Sequence, residues 1–182
     1  MNEVRQIQLI QRCEAGEKGA IEEFVGTYQP DAYRLALSIL DDPAEADEVA
    51  QDALVAALNR LASFRGEAAL TTWLYAITLN LCRGRLRKRR SRERLSRLLS
   101  EFFSIHSETQ HPEAQVQRIE RDADLWSAIR RLTDSHREAI VLRYYHDLPI
   151  ASISQMTGVS ERTVHNRLRA AHERLRTMLG GG

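Results

Sequence analysis

The chain has 182 residues, of which 43% are hydrophobic and 28% are charged, which allows one average domain or two small ones. It contains no run of about 18 apolar residues, and its N-terminus lacks the apolar segment of a signal peptide, so we expect a cytoplasmic protein without membrane insertion. The net charge of +1 hides a segregation, because residues 41–52 carry six acids and no base while residues 83–97 carry nine bases and one acid. This segregation predicts one basic partner and one polyanionic partner.

Apolar residues at helical spacing predict helices throughout the first half of the chain. A first amphipathic helix begins at Val4 and ends at Gly16, since glycine readily adopts the conformation that closes helices. A second helix begins near Ala20 and is expected to stop at Pro30, because proline removes a helical hydrogen bond. Residues 32–40 are predicted to form a third helix.

The strongest helical pattern covers residues 46–61, where one face is apolar over about four turns. The side chains that lie off this face are Asp47, Glu48, Gln51 and Asp52. A later helix carries Trp73 and Ile77 on one face, which favours a core position for Trp73 over a base contact. That helix continues into the basic segment, and the first domain is predicted to span residues 1–92.

Residues 93–115 are predicted to form a flexible linker, because serine, threonine, histidine and Pro112 accumulate in its second part. One helical face within it is nevertheless apolar: Leu95, Leu98, Leu99 and Phe102. This segment is either a short helix that docks on a partner or an extension of the preceding helix. Helical periodicity resumes over residues 116–182, which predicts a second all-α domain of about four helices.

The most specific local signal is a helix-turn-helix near the C-terminus. Pro149 suits the first position of one helix, Gly158 suits the reversal, and Ser160 suits the N-cap of the next helix. An apolar stripe predicts the buried face of that helix: Val164, Leu168, Ala171 and Leu175. The polar side chains that project elsewhere can reach base edges: Arg162, Thr163, His165, Asn166 and Arg169. Taken alone, this segment could also be a helical hairpin with a solvated basic face.

Catalytic, metal and redox signals are weak. Cys13 and Cys82 are the only cysteines, and we expect two buried thiols rather than a disulfide or a redox switch. The six histidines show no metal-ligand spacing, so neither a metal nor another cofactor is expected. The chain lacks a glycine-rich phosphate loop and a nucleophile elbow, so we do not expect an enzyme.

Across nearly its whole length the chain resembles the extracytoplasmic-function (ECF) sigma factors of bacterial RNA polymerase, in the sigma-70 superfamily. The first half resembles sigma domain 2 in residues 47–52 and above all in residues 64–80. The second half resembles sigma domain 4 in residues 137–144 and 158–164. Ser154 departs from the alanine that this family usually has in the first helix of the motif.

The resemblance implies two helical domains on a tether that read promoter elements about two helical turns apart and help to open the duplex. It assigns core-polymerase binding to Asp47, Glu48, Gln51 and Asp52. It assigns capture of an extruded base of the minus-10 element to Phe64, Tyr75 and Asn80. It assigns contacts to the phosphates of that element to Arg83, Arg85, Arg87 and Lys88. It assigns the minus-35 element to Arg162, Thr163, His165, Asn166, Arg167, Arg169 and Arg143. Of these, Arg167 and Arg143 are expected to hold phosphates.

The implied partners are promoter DNA, core RNA polymerase through its largest-subunit coiled coil and its flap, and an anti-sigma factor, which the family commonly uses. The protein would associate with the nucleoid when bound to polymerase. One alternative is a self-standing helix-turn-helix regulator whose first half senses a ligand or dimerises. Another is an adaptor that uses only the acidic face. A sensor domain would not require an acidic face beside a basic, aromatic-bearing helix. The adaptor interpretation leaves the helix-turn-helix unexplained.

Overall fold

The computed structural model describes residues 3–103 and 120–179, and every regular element in these ranges is helical. In chain order the helices are α1 (Glu3–Glu14), α2 (Lys18–Leu40), α3 (Pro43–Leu58), α4 (Leu70–Phe103), α5 (Glu120–Arg130), α6 (Asp134–Ile140), α7 (Ile150–Thr157) and α8 (Glu161–Leu179). A short 3-10 turn, Leu61–Ser63, follows α3, and a π-helical turn, Val141–Tyr145, extends α6. The predicted all-α fold class is confirmed.

The prediction that a helix stops at Pro30 is wrong, because α2 runs through it. Phe24, Tyr28 and Ala32 form one buried stripe that crosses the proline and packs towards α3 and α4. This packing outweighs the roughly 3 kcal/mol that an internal proline costs. Pro30 and Gly26 are both exposed, so water can bond the Gly26 carbonyl that loses its helical partner.

Two adjacent aspartates form the corner between α2 and α3. Asp41 ends α2 in the left-handed conformation, with φ of 57°. Asp42 caps α3, since its carboxylate accepts hydrogen bonds from the backbone N–H groups of Ala44 and Glu45, both at 2.9 Å. Pro43 occupies the first turn, where its missing N–H needs no partner. This corner fixes where α3 begins and therefore which of its faces is exposed.

Helix α4 is a single helix of 34 residues, so the basic segment is helical throughout. Of the two alternatives for Leu95–Phe102, the backbone is an extension of the preceding helix. The side chains of these residues, and residues 104–115 of the predicted linker, lie outside the described part of the chain. The domain boundaries at residues 92 and 115 stay predictions.

The described core consists of two apolar clusters. One joins α1, α2, α3 and the start of α4 around Phe24 and Leu74. The other includes residues of both halves, among them Cys82 from α4, Ile140 from α6 and Ile153 from α7. Helices α6 and α7 therefore lie against α2 and α4. Both cysteines are buried free thiols, as predicted.

Candidate nucleic-acid interface

Helix α8 is the second helix of the predicted helix-turn-helix, and it separates a buried apolar face from an exposed polar face. The buried residues are those of the predicted stripe: Val164, Leu168, Ala171 and Leu175. The exposed polar face consists of Arg162, His165, Asn166 and Arg169. Thr163 and Arg167 lie half-buried at its border. The exposed residues share one side of the first turns of α8, the part of a recognition helix that contacts base edges.

The helix-turn-helix is built as predicted, except that Pro149 lies one position earlier relative to the start of α7. Gly158 closes α7 with φ of +69°, and the Ser160 hydroxyl accepts a hydrogen bond from the first turn of α8 at 3.2 Å. Pro149 is the N-cap of α7. The Ser154 hydroxyl donates to the Val159 carbonyl at 2.6 Å. The serine that departs from the family pattern therefore ties α7 to the far side of the turn.

Arg143, predicted to contact a phosphate, has an intramolecular partner. Its guanidinium donates to the Leu148 carbonyl at 3.0 Å, across the connection that leads into α7. Asp147 in this connection has φ of +48°, which costs a non-glycine residue about 1–2 kcal/mol. The Arg143 hydrogen bond helps to hold this strained connection and thereby positions α7.

The acidic face of α3 is exposed, as the helical pattern predicts. Asp47, Glu48, Gln51 and Asp52 all face solvent, opposite the buried stripe of the helix. The Gln51 amide donates to the Asp47 carboxylate at 2.8 Å. Val55 lies on the same face with 58% of its surface exposed, a feature that sequence reasoning missed. The face therefore offers negative charge around one apolar contact point.

The basic segment of α4 reaches back to this acidic face. Arg85 forms ion pairs with Glu48 at 2.8 Å and with Asp52 at 3.6 Å. Both carboxylates are 62% exposed, and surface pairs of this kind contribute only about 0.2–1 kcal/mol, so another cation can replace Arg85. Sequence reasoning missed these pairs, although the opposite charges of two successive helices were the available signal.

Arg83 is held more firmly by the second half of the chain. Its guanidinium donates to both carboxylate oxygens of Glu138 in α6, at 3.0 Å and 2.7 Å. The Glu138 side chain is only 5% exposed, and these hydrogen bonds raise the pKa of Arg83. Arg87 and Lys88 are exposed further along α4. Two of the four predicted phosphate contacts thus have carboxylate partners within the chain.

The aromatic residues predicted for base capture do not lie in one place. Phe64 and Trp73 have ring centroids 5.4 Å apart and line a cavity of about 250 Å³ next to residues 63–68. Trp73 is half-buried, since it packs on the first apolar cluster and also forms a wall of this cavity. Gln155 and Met156 of α7 line the same cavity. The candidate stacking surface is therefore bounded by residues of both halves.

Tyr75 and Asn80 do not line this cavity. Tyr75 is 6% exposed and packs edge-on against His146 of the second half, with ring centroids 5.2 Å apart. Burial raises the pKa of Tyr75 to about 12 and, with the nearby charge of Arg34, lowers the pKa of His146 to about 4. Both rings are therefore neutral at pH 7. Asn80 is exposed on α4 and can reach a ligand without rearrangement.

Within residues 3–103 and 120–179, no group of three or more histidine, cysteine, aspartate and glutamate side chains could hold a metal ion. None of the helices in these ranges is both long and apolar enough to cross a membrane. What the described surface offers is segregated charge, the polar side of α8 and a pair of aromatic rings beside a loop.

Comparisons with known proteins all indicate the same family. Sigma-70 region 2 matches residues 24–92, and sigma-70 region 4 matches residues 122–175. The RNA polymerase sigma-H factor of Pseudomonas aeruginosa is 31% identical over 91% of this chain and 89% of its own length. The ECF RNA polymerase sigma factor SigM of Mycobacterium tuberculosis is 30% identical over 91% of this chain and 80% of its own length.

Solved structures show the same fold. The sigma factor RpoE of Bartonella quintana, solved with the anti-sigma factor NepR, has a TM-score of 0.65 to this chain at 24% identity. The match covers 88% of this chain and 96% of that protein. CnrH, solved with the cytosolic domain of CnrY, also has a TM-score of 0.65 and covers 94% of this chain and 95% of that protein.

Proposed function

We propose that this chain, which belongs to the ECF sigma factors of bacterial RNA polymerase, divides its function between its two halves. As an alternative sigma factor it binds core polymerase and directs it to specific promoters. In our proposal the first half binds core polymerase and the minus-10 element, and the second half reads the minus-35 element. This division is supported by one observation: the acidic face of α3 and the polar side of α8, the proposed recognition helix, are both exposed in the same chain.

The acidic face of α3 binds the basic coiled coil of the largest polymerase subunit in this proposal. The residues that carry it are Asp47, Glu48, Gln51 and Asp52, and their common exposure supports it. Val55 adds apolar contact at the centre of the interface. Because the basic coiled coil competes with Arg85 for Glu48 and Asp52, core binding would release Arg85 towards DNA.

The minus-10 element is bound by α4 and the loop before it. Phe64 and Trp73 supply rings on which an extruded base can stack, and Asn80 has a donor and an acceptor for a base edge. Arg87 and Lys88 contact phosphates, which adds affinity and register but little sequence information. Tyr75 and Arg83 can join them only after His146 and Glu138 withdraw.

The minus-35 element is read by α8. Arg169 can bond a guanine through two N–H donors, and Asn166 has the complementary pair of groups for adenine. The supporting contacts come from Arg162, Thr163 and His165. Arg167 and Arg143 hold phosphates, and Arg143 does so only if it shares or releases its bond to Leu148.

The remaining assignments concern chemistry, partners and location. The polymerase supplies the catalytic chemistry, and this chain supplies position and strand opening, so it is not itself an enzyme. We also propose binding to the polymerase flap and regulation by an anti-sigma factor, the kind of partner with which the Bartonella RpoE was solved. The site of action is the cytoplasm, at the nucleoid when the chain is bound to polymerase.

In vitro transcription with core polymerase on a genomic promoter library tests this function directly. We expect defined start sites whose upstream sequences share a minus-35 and a minus-10 element, and none of these starts with core polymerase alone. The Arg169→Ala protein is the matched control, since it should keep core binding and change only the minus-35 preference. If the protein instead bound palindromic duplex as a dimer and added no starts to core polymerase, a self-standing regulator would replace the proposal.

A further inference from the structure

A polar groove of about 770 Å³ lies where α4, α5, α6 and the corner between α2 and α3 meet. Arginines from three helical segments line it: Arg89 and Arg90 of α4, Arg130 and Arg131 at the C-terminal end of α5, and Arg137 of α6. None of these five arginines belongs to the surfaces proposed for promoter DNA or for core polymerase. The groove is therefore a concentration of positive charge that the proposed function does not use.

Four carboxylates also line the groove, and each of them already has a partner. The Asp42 carboxylate caps α3 by accepting two backbone N–H groups. The other three pair with arginines of the groove: Asp41 with Arg130 at 3.0 Å, Glu93 with Arg89 at 3.4 Å, and Asp134 with Arg90. The carboxylates of the groove thus account for three of its five arginines.

The two remaining arginines lack a carboxylate partner among the side chains that the structure describes. Arg137 donates to the carbonyl of Ile39 at 3.2 Å and to the carbonyl of Arg130, and its Nε is buried without a hydrogen-bond partner. Burial lowers the pKa of Arg137, and the like charges of Arg90 and Arg130 lower it further. Arg131 is exposed on the groove. An anion between these two guanidinium groups would offset a charge that is costly to bury alone.

The chemistry of the lining favours phosphate groups. Arginine stays charged at all working pH values, and its planar fork can donate two hydrogen bonds to one phosphate. Arg89 and Arg90 are 42% and 57% exposed, and exposed ion pairs contribute only about 0.2–1 kcal/mol, so both can turn from their carboxylates to a ligand. The described lining contains no aromatic ring on which a base could stack. Guanidinium groups on separate elements fit an anion with several linked phosphates better than a single one.

We infer that this groove binds an oligophosphate anion, with Arg131 and Arg137 as its first contacts and Arg89 and Arg90 as contacts that it recruits. The chemistry it recognises is a chain of two or more phosphates, which inorganic oligophosphates and nucleoside triphosphates share. The bound anion would be held by α4 of the first half and by α5 and α6 of the second half. The inference goes beyond the proposed function, since it concerns the free chain and uses none of the proposed DNA contacts.

Binding is tested by calorimetric titration of the full chain with inorganic tripolyphosphate, at moderate salt and without divalent cations. We expect a single site, and at least about tenfold weaker binding of inorganic phosphate, because each further phosphate adds charge-assisted hydrogen bonds. Titration with ATP separates the two sources. Equal affinity for ATP and tripolyphosphate would mean that the phosphate chain alone is recognised, and tighter binding of ATP would identify a nucleotide. Equal affinity for phosphate and tripolyphosphate would overturn the inference.

A substitution that leaves every arginine in place locates the site. Ser127 is exposed, lines the groove and lies one helical turn before Arg131. Ser127→Glu should weaken tripolyphosphate binding by about tenfold, because it places a negative charge beside the ligand. Ser127→Gln, which has the same length without the charge, should bind as wild type does. Circular dichroism checks that both variants are folded, and equal binding by the two would exclude the groove as the site.

Arg131→Gln should likewise weaken tripolyphosphate binding by about tenfold, whereas Arg176→Gln, the same change on exposed α8, should not. A duplex without promoter elements tests the other polyanion that this chain meets. If Arg131→Gln and Ser127→Glu weakened duplex binding as much as tripolyphosphate binding, the groove would be a contact for the DNA backbone and the inference would fall. Transcription without tripolyphosphate binding would refute this inference alone, and tripolyphosphate binding without transcription would refute the proposed function alone.

Discussion

The two proposed DNA-reading surfaces differ in their availability. On α8, Arg162, His165, Asn166 and Arg169 all face solvent on the side opposite the core. On α4 and its preceding loop, Tyr75 is covered by His146, Arg83 is paired with Glu138, and the cavity beside Phe64 is bounded by α7. Residue chemistry alone would rank the two surfaces as equals.

The difference teaches that residue type indicates what a surface can bind, while packing decides whether it is available. Arginine forms ion pairs with carboxylates as readily as with phosphates. A basic helix in a chain with nearly as many acidic as basic residues therefore finds partners within the chain, as Arg83 and Arg85 do. The polar side of α8 stays available because it faces away from every other described helix.

The largest predicted effect is the difference in stability between substitutions at a buried and at an exposed position of α8. Leu168→Ala should lower the free energy of unfolding by about 2–5 kcal/mol, because the side chain is 7% exposed and its loss leaves a cavity. Asn166→Ala should change it by less than about 0.5 kcal/mol. Urea denaturation followed by circular dichroism checks both. Similar losses at the two positions would mean that the exposed side of α8 also has a structural role.

Base readout and phosphate contact should separate on the same helix. Arg169→Ala should relax the preference at one or two minus-35 positions by roughly 1–3 kcal/mol. Arg167→Ala should instead weaken all promoters alike and flatten the salt dependence of binding. Holoenzyme binding to a randomised minus-35 library at two salt concentrations measures both changes. The roles are reversed if Arg167→Ala changes the preferred sequence and Arg169→Ala lowers every promoter equally.

On α4, Asn80 is an exposed residue of the proposed minus-10 surface, so its effect should not require His146 or Glu138 to withdraw. Asn80→Ala should cost roughly 1–3 kcal/mol of discrimination within the minus-10 element, because a base edge loses one bonding partner. Core binding should be unaffected. Permanganate footprints and promoter competition provide the measurement. Wild-type footprints together with wild-type preference would remove Asn80 from the proposed site.

The acidic face should respond in proportion to the number of charges removed. Replacing Asp47, Glu48 and Asp52 together by alanine should weaken core binding by up to about 3 kcal/mol, since exposed pairs contribute about 0.2–1 kcal/mol each. The fold should persist, because all three side chains are exposed. Titration with labelled core polymerase at moderate salt gives the affinity. An unchanged affinity even for the lysine variants would contradict the assignment.

The smallest predicted effect is a pH dependence of the packing of His146 on α4. His146 faces Asp31 and Arg34 of α2, Tyr75 of α4 and the adjacent Tyr145, and burial lowers its pKa to about 4 in the folded protein. Because an exposed histidine has a pKa of about 6.5, the unfolded state binds more protons than the folded state. The contribution of His146 to stability is therefore complete above about pH 6.5 and is lost as the pH falls towards 4.

The free energy of unfolding, measured by urea denaturation from about pH 7.5 to about pH 5, should therefore fall, and His146→Gln should reduce this change by removing the titrating ring. An identical pH profile for wild type and His146→Gln would assign the effect to other groups.

Local patterns predicted those parts of the molecule that depend on neighbours in sequence. The buried stripe of α8, the turn at Gly158 and the exposed acidic side of α3 follow from helical spacing and capping chemistry, and all have the expected burial. The stop at Pro30 was predicted wrongly for the same reason. A single proline is a strong local signal, but a buried stripe packed on two other helices outweighs it.

The sequence by itself determined the all-α class, the order of the helices, the helix-turn-helix and the segregation of acids from bases, because each depends on residue spacing along one helix. Only the tertiary structure decided which charged groups meet. Arg83 with Glu138, Arg85 with Glu48, and Tyr75 under His146 are pairs separated by tens of residues, and their meeting depends on how helices pack. One residue pattern is compatible with several packings, since apolar contact is non-directional, so the availability of the proposed minus-10 surface became visible only in the folded chain.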